Sequence, residues 1–569
     1  MGRLRWRAIA LSIAVALLAF ACGGTSGGGS GTLASNQTFS FPFIAGGSIS
    51  TLDPGQVNDA VGTALTQEMF GGLLTFNANL KVVPFAATSL PTVSADGKTY
   101  TFHLRHDVKF WNGDSVTSKD VLYSWNRAAA LQGSYATVFQ PVVGYDAVAA
   151  GSATTMTGLT APDAYTVVAK LQFPAGYWLT ETAIWTANIL DQKAVSAGGA
   201  DTWWSNPQTA VGIGPFKLTQ YTANSSLDFA PVKNWWNGST GSLTHVHIDE
   251  GVDGSSAVKK FEAGGYGTIG PADNYPPATD VLRYENDPTK KSLLHIYTGG
   301  STNWMGFNFT GDSPFAPKPG ITPGQPTVGL GQDQGQDGRS AFSAAINRDQ
   351  FAQVVCAKGT TCAPADHGLI PTNLYGSLGS KADPMATYDA SKAKADYQKW
   401  DPTGAKAKSM KLEYNTSPTN DQAWQNVQAQ LRSTLGVNVT LYPTDFKTLI
   451  ADRQNHKPYL FRDAWSADYN HPQDWYDNLW TCAGARNGGN NNSGYCNPQM
   501  DQLVSSADQK PISQSLSQYT QAYHIMQQSN YGAPIEYGTA QFFTQKWVQG
   551  ESNNGLYDAS WTNIKILQH

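Results

Sequence analysis

Asp96-Gly97-Lys98-Thr99-Tyr100-Thr101-Phe102-His103-Leu104-Arg105 is followed within a few residues by Asn112-Gly113-Asp114 and then by Thr117-Ser118-Lys119-Asp120-Val121-Leu122-Tyr123-Ser124-Trp125. Ala95-Asp96-Gly97 carries the turn formers of a hairpin. From Lys98 to Arg105 the chain alternates, with Tyr100, Phe102 and Leu104 on one face and Thr99, Thr101 and His103 on the other. That period of two predicts a half-buried strand. Asn112-Gly113-Asp114 is a second turn. Thr117, with Asp120 three positions on, has the form of a capping box, and Val121, Leu122, Trp125 and Ala128 or Ala129 make one apolar helix face. A strand, a turn and a capped amphipathic helix in this order point to an α/β fold. Earlier in the chain, Thr38 to Ile44 reads as a strand and Ala60 to Leu74 as a helix with Leu65, Met69 and Leu73 on one face.

The chain has 569 residues, enough for three or four domains' worth of core. Charged residues make up 14%, well below the usual share of about a quarter. Gly, Ser, Thr, Asn and Gln therefore supply much of the surface. The formal charge is −5; leaving out Arg3, Arg5 and Arg7 leaves 35 basic against 43 acidic residues, or −8. An acidic chain without a basic cluster is poorly suited to nucleic acid.

Residues 1–21 read as a signal peptide. Arg3, Arg5 and Arg7 form a positive start, and the weakly polar to apolar run from Ala8 to Ala21 is too short to span a bilayer. Leu17-Leu18-Ala19-Phe20-Ala21-Cys22 resembles a bacterial lipobox, which implies cleavage before Cys22 and lipid on its thiol. The alternative is an ordinary secretory signal with a chance cysteine. Residues 22–35 then form a flexible Gly/Ser/Thr tether. The remaining cysteines fall into two local pairs, Cys356 with Cys362 and Cys482 with Cys496, as the simplest of three connectivities. Their spacings are unlike zinc knuckles.

Tyr459 to Phe461 reads as a strand entering a core. The chain then sets Asp468 between Trp465 and Tyr469, and the turn formers Asn470 and Pro472 follow. This arrangement shows one negative charge at the mouth of an aromatic pocket and suits a ligand ammonium group. The other reading is a carboxylate that only caps the turn.

The run from Asp96 to Trp125 resembles the signature of the peptide/nickel class of ABC-transporter solute-binding proteins, family 5. Pro162-Asp163-Ala164-Tyr165-Thr166-Val167-Val168, Val211-Gly212-Ile213-Gly214-Pro215-Phe216, Asn308-Phe309, Ser313-Pro314-Phe315 and Arg339 to Arg348 match further landmarks in order. Trp465-Ser466-Ala467-Asp468-Tyr469-Asn470 is similar to the oligopeptide-binding branch in particular. The resemblance implies a two-lobed α/β periplasmic-binding-protein (Venus-flytrap) fold with a hinge and an extra inserted subdomain. Lobe I is expected at 36–85, 210–308 and 536–569, the insertion at 86–209, and lobe II at 309–535. It implies an extracytoplasmic lipoprotein that captures oligopeptides for an ABC importer and acts as a monomer, with a permease, its ATPase and the membrane surface as partners. No catalysis, metal or cofactor is expected.

By the same resemblance Asp468 pairs with the peptide's α-ammonium group. Phe446, Arg453, Arg462 and Trp465 line the groove, with the two arginines meeting C-terminal carboxylates or acidic side chains. Asn58 to Ala60 pair with the peptide backbone, and Tyr135 adds an aromatic from the second domain. Each arginine has the alternative of an ion pair inside the protein. Within the fold, a nickel chelate, a glycan or an opine is the other ligand class; a surface-anchored hydrolase lacks a nucleophile–base set. Gly265-Tyr-Gly-Thr-Ile-Gly270 is followed by Pro271 and reads as a loop, not a dinucleotide site. Asp333 to Gly338 has Ala344 where a calcium loop needs Glu, and reads as a disordered loop. His245 and His247 are placed to face one way on a strand, without an evident third metal ligand.

Overall fold

The computed structural model describes residues 31–44, 49–408, 410–485 and 490–569. The leader, Cys22 and the first part of the tether lie outside them. Among the described residues no helix is long and apolar enough to cross a membrane.

The capping box and the strand beside it form as their spacing dictates. The Thr117 backbone N–H and hydroxyl both donate to the Asp120 carboxylate, at 2.7 and 2.9 Å, and open the helix Ser118–Leu131. Strand Thr99–His103 buries Tyr100 and Phe102 and pairs antiparallel with Thr166–Lys170, which also pairs with Leu159–Asp163. Trp125, Trp178, Phe102 and Tyr100 meet edge to face between helix and sheet, with centroids 5.0 to 6.3 Å apart. This four-stranded sheet and its helix have a core of their own.

A second four-stranded sheet runs in the order Thr38–Ile44, His245–Val252, Ser226–Pro231, Phe216–Thr222. Chain end meets chain start on it. Trp561 packs on Phe41, Phe216 and Phe229, while Gln37 donates to the Ile566 carbonyl and accepts from its N–H.

The largest sheet has seven strands and is mixed. Lys411–Asn415 is parallel to both Thr440–Thr444 and Leu460–Ser466, and the rest pairs antiparallel. Two of its strands, Leu294–Phe307 and Gly532–Thr544, are paired along most of their length and join the two lobes. Their register breaks between Thr298 and Thr302. There the backbones approach so closely that a Cβ on Gly299 would lie 2.7 Å from the Gly538 carbonyl oxygen. Helices 336–344, 390–400, 418–435 and 512–528 cover the other end of this sheet, around Trp304, Trp400, Trp475 and Trp480.

Three expectations need correction. The first long helix ends at Met69, and Leu74–Phe76 is a strand. The chain leaves helical geometry at Phe70, whose backbone is extended, and Gly71 then passes against Phe85, whose ring would lie 2.1 Å from a Cβ at that position. Asp333 to Gly338 is ordered: the helix Gln336–Ala344 begins within it, and the buried Arg339 guanidinium holds the Asp333 carboxylate at 2.5 Å. Thr268–Ile269, inside the glycine-rich stretch, is a short strand that pairs with Phe543 and Thr544.

Cys356–Cys362 and Cys482–Cys496 are disulfides, closing separations of 6 and 14 residues. In the chain-entropy account these loops contribute about 2 and about 3 kcal/mol respectively. Replacing Cys482 and Cys496 by Ser is therefore expected to lower the denaturant midpoint more than replacing Cys356 and Cys362. Equilibrium urea melts of the two double variants measure this.

Candidate functional site

Strand Leu460–Ser466 leaves the large sheet with alternate residues turned in and out. Leu460, Phe461 and Asp463 are buried, and Arg462 is partly exposed. The chain then turns at Asn470 and starts the helix Gln473–Leu479. Asp468 stands in this turn and faces across to the inserted subdomain, where the Tyr135 hydroxyl donates to its Oδ1 at 2.7 Å. Tyr135 is itself held edge-on against Trp185, 4.9 Å between centroids. Asp468, Tyr135, Asn58 and Ala60 thus line one cavity of about 190 Å³. Three segments far apart in sequence meet there.

This cavity shares Gln67, Trp185, Tyr557 and Asp558 with a larger one of about 520 Å³, which continues between Phe76, Phe85 and Trp235. Together they make a chamber with an acidic end and an aromatic end, of the size and lining that small-molecule and peptide sites have. Burial pushes the Asp558 carboxyl up to about 6 and the Glu68 carboxyl up to about 7, despite the backbone N–H groups of Ala272 and Trp561 that bond them.

Among the described residues no Lys, Arg or His bonds Asp468. Burial raises its carboxyl above the ordinary range, against the hydrogen bond from Tyr135. The Tyr135 phenol is raised as well, by burial and by the Asp468 charge. Beneath Asp468 lies a second carboxyl, Asp474, wholly buried in the first turn of the helix. Its Oδ2 accepts from Trp465 Nε1 at 3.2 Å and from the Asp468 backbone N–H at 3.0 Å. Trp465 therefore props the acid pair from behind and does not line the cavity.

The remaining expected groove residues part company. Arg453 turns inward: its Nη1 bonds Asp463 Oδ1 at 2.7 Å and the Arg462 carbonyl at 3.0 Å, with the side chains 10% and 3% exposed. It takes the intraprotein ion pair that was its alternative. Arg462, one residue before Asp463 and so on the other face of the strand, bonds amide oxygens among the described residues and lines neither cavity. Its Nη2 donates to Asn303 Oδ1 at 2.6 Å and its Nη1 to Asn415 Oδ1 at 3.2 Å. Phe446 begins the helix Phe446–Gln454, is 56% exposed, and lines neither cavity. His245 and His247 do share a face, and both bond Asp228 Oδ1 at 2.8 Å.

Asp474, Trp185, Tyr557 and Asp558 were not expected at the site. Asp474 lies in the stretch that drew attention to Asp468, but an acid in a first helical turn carries no mark of burial. The other three reach the cavity from distant segments.

Comparison with known proteins accords with this geometry. Residues 81–487 match the family model described as bacterial extracellular solute-binding proteins, family 5 middle. Over 565 residues the chain is 25% identical to the oligopeptide-binding protein OppA of Bacillus subtilis, covering 97% of this chain and 96% of that one. Among solved structures, the murein tripeptide-binding protein MppA in an unliganded open form superposes with a TM-score of 0.80 at 24% identity, covering 95% of this chain and 99% of that one. Listeria monocytogenes OppA bound to peptide superposes with a TM-score of 0.66 at 20% identity, covering 94% and 100%. Both have the same two-domain α/β fold as this chain. With more than half its length matched by the family model, this chain belongs to the bacterial extracellular solute-binding proteins of family 5.

Proposed function

We propose that this protein captures oligopeptides outside the cytoplasm and presents them to an ABC importer. The observation that carries the reading is Asp468: a partly buried carboxylate, fixed by Tyr135, facing a cavity between lobes, with no cation bonded to it among the described residues. A peptide's α-ammonium supplies the missing charge, and the charge-assisted hydrogen bonds it makes are strong because water is largely excluded. Asn58 and Ala60 line the same cavity and are placed for the peptide backbone. Arg462, whose hydrogen-bond partners among the described residues are Asn303 and Asn415, with the Glu536 carboxyl nearby, is the cation this reading gives to a ligand carboxylate or acidic side chain. Arg453 is not counted among the ligand groups.

The lobes in this reading are 36–85 with 210–308 and 536–569, and 309–535, with 86–209 inserted. They close by bending where the chain crosses between them, at 308–309 and 535–536, beside the paired ends of the two long strands. Closure buries the ligand and makes the form that the permease and its ATPase receive. Cys22 carries the lipid that holds a monomeric body at the membrane surface, and no reaction is performed on the ligand.

Calorimetry with tri- to pentapeptides, each with a free amine and with an N-acetyl cap, tests the reading. Free-amine peptides are expected to bind at least about thirtyfold tighter, the lower end of the cost of leaving a buried charge unpaired. Equal affinity would remove the ammonium role and favour a ligand of another class. Hydrolysis of any peptide would overturn the assignment altogether.

A further inference from the structure

Asp474 has no part in the reading above, yet it is the most buried acid at the site. Its side chain is fully enclosed, and every bond it accepts comes from a neutral donor: Trp465 Nε1, the Asp468 backbone N–H, and Asn478 Nδ2 at a long 3.4 Å. Its Oδ2 lies 3.0 Å from the Asp468 backbone nitrogen, so the two acid side chains stand next to one another, and the Asp468 charge makes ionising Asp474 costlier still. The groups around the pair come from every element packed on it, and none is cationic. Tyr135 donates to Asp468 from the inserted subdomain, and the buried Tyr557 hydroxyl, from the C-terminal segment, has no partner. Tyr469 is turned away to Glu181 and Gln473. His471, one turn back, is pushed down to about 3 by burial and is therefore neutral. Asp477, one turn on, adds another acid, partly buried.

Two carboxyls this close, one fully enclosed and the other partly buried, with no cation bonded to either among the described residues, resist ionising together. Burial and the neighbouring Asp468 charge both raise the Asp474 carboxyl well above its ordinary range.

We propose that Asp474 is a positioning residue for ligand capture: with Asp468 it forms a carboxyl pair that holds a shared proton, and a ligand ammonium takes that proton's place. This rests on the reading of Asp468 as the ammonium site. On binding, an O–H bond of the pair breaks and its proton leaves to the buffer. The ammonium's N–H groups then donate to the freed carboxylate. Capture is thus linked to pH, and a neutral ligand end gains nothing from the exchange.

Two measurements test it. Calorimetry of trialanine in buffers of different ionisation enthalpy is expected to show release of about one proton near neutral pH. Asp474→Asn is expected to release almost none, and its affinity to lose most of its pH dependence. Without ligand, both raised carboxyls contribute stability that is complete below the unfolded value of about 4 and is lost as pH rises through the folded values. The melting midpoint of the wild type should therefore fall, relative to Asp474→Asn, as the pH rises above the unfolded value of about 4. Equal proton release by the two proteins, or parallel melting profiles, overturns the proposal. If trialanine does not bind, the peptide reading falls and the ligand-free melts decide the pair by themselves. If Asp474→Asn does not fold, Asp468→Asn takes its place in the melts and must remove the same slope.

Discussion

Asp468→Asn is expected to weaken binding of a free-amine tripeptide by a factor between about 30 and several thousand, equivalent to about 2–5 kcal/mol. Asn has the same shape and can still accept from Tyr135, so the cavity wall keeps its form. What is lost is the carboxylate that Tyr135 fixes at that wall; Asp59, Asp273 and Asp558 stand elsewhere around the same cavity. A cation drawn into a site of low polarity without a counter-charge carries the full cost of its lost hydration. The same substitution should leave the affinity for N-acetylated peptides unchanged, since they bring no charge to the position. It should not destabilise the unliganded protein, because it removes an acid whose carboxyl is already raised by burial. Calorimetry on both peptide forms, with thermal melts of the unliganded variant, separates these effects. A loss shared equally by capped and free peptides would mean a damaged cavity.

Arg453→Met is expected to lower the unfolding free energy by about 3–5 kcal/mol. Asp463, 3% exposed, accepts from Arg453 at 2.7 Å and from Asn492 Nδ2 at 3.0 Å. Removing the guanidinium leaves a buried carboxylate with amide donors alone. The double variant Arg453→Met with Asp463→Asn removes both charges and should recover most of the loss, since a buried ion pair is seldom more stable than a neutral replacement of similar volume. Arg462→Met is expected to behave differently. Its hydrogen-bond partners Asn303 and Asn415 are neutral, and the buried Glu536 carboxyl near it, already raised to about 7, can take up a proton, so its main effect should fall on ligands with a free carboxylate or acidic side chain. Urea melts of the three variants, set beside calorimetry with amidated and free-acid peptides, distinguish a structural arginine from a binding one.

These two arginines mark the boundary of what could be read before the fold was in hand. Local spacing predicted the capping box at Thr117 and Asp120 and the strand beside it, because each depends on residues within a few positions. The start of the first long helix was equally plain, but its end was not. Phe70 turns out of it into extended backbone, and the glycine that follows is needed because Phe85, from another segment, lies against the chain there. Asp468 stood out through its aromatic neighbours and the turn after it. Arg453 and Arg462 looked alike, and they differ only because Asp463 faces the opposite side of the strand from Arg462. Asp474 looked like any acid in a first helical turn. Its meaning comes from Trp465 folding over it, a contact that no periodicity encodes. Tyr557 and Asp558, about ninety positions further along the chain, had no local mark at all.

The joining of chain start to chain end has a mechanical consequence. Ala34 N–H bonds the Ile566 carbonyl at 2.9 Å, Gln568 N–H bonds the Thr32 carbonyl at 3.0 Å, and Gln37 grips Ile566 by both of its backbone groups. A body tethered through its first residues would pass any tug from the surface into these bonds along their row, loading them together in shear. The force would pass into strand Thr38–Ile44 and into the pairing of Lys565–Ile566 with Val548–Gln549, so that the leash pulls on the first lobe at both chain ends together.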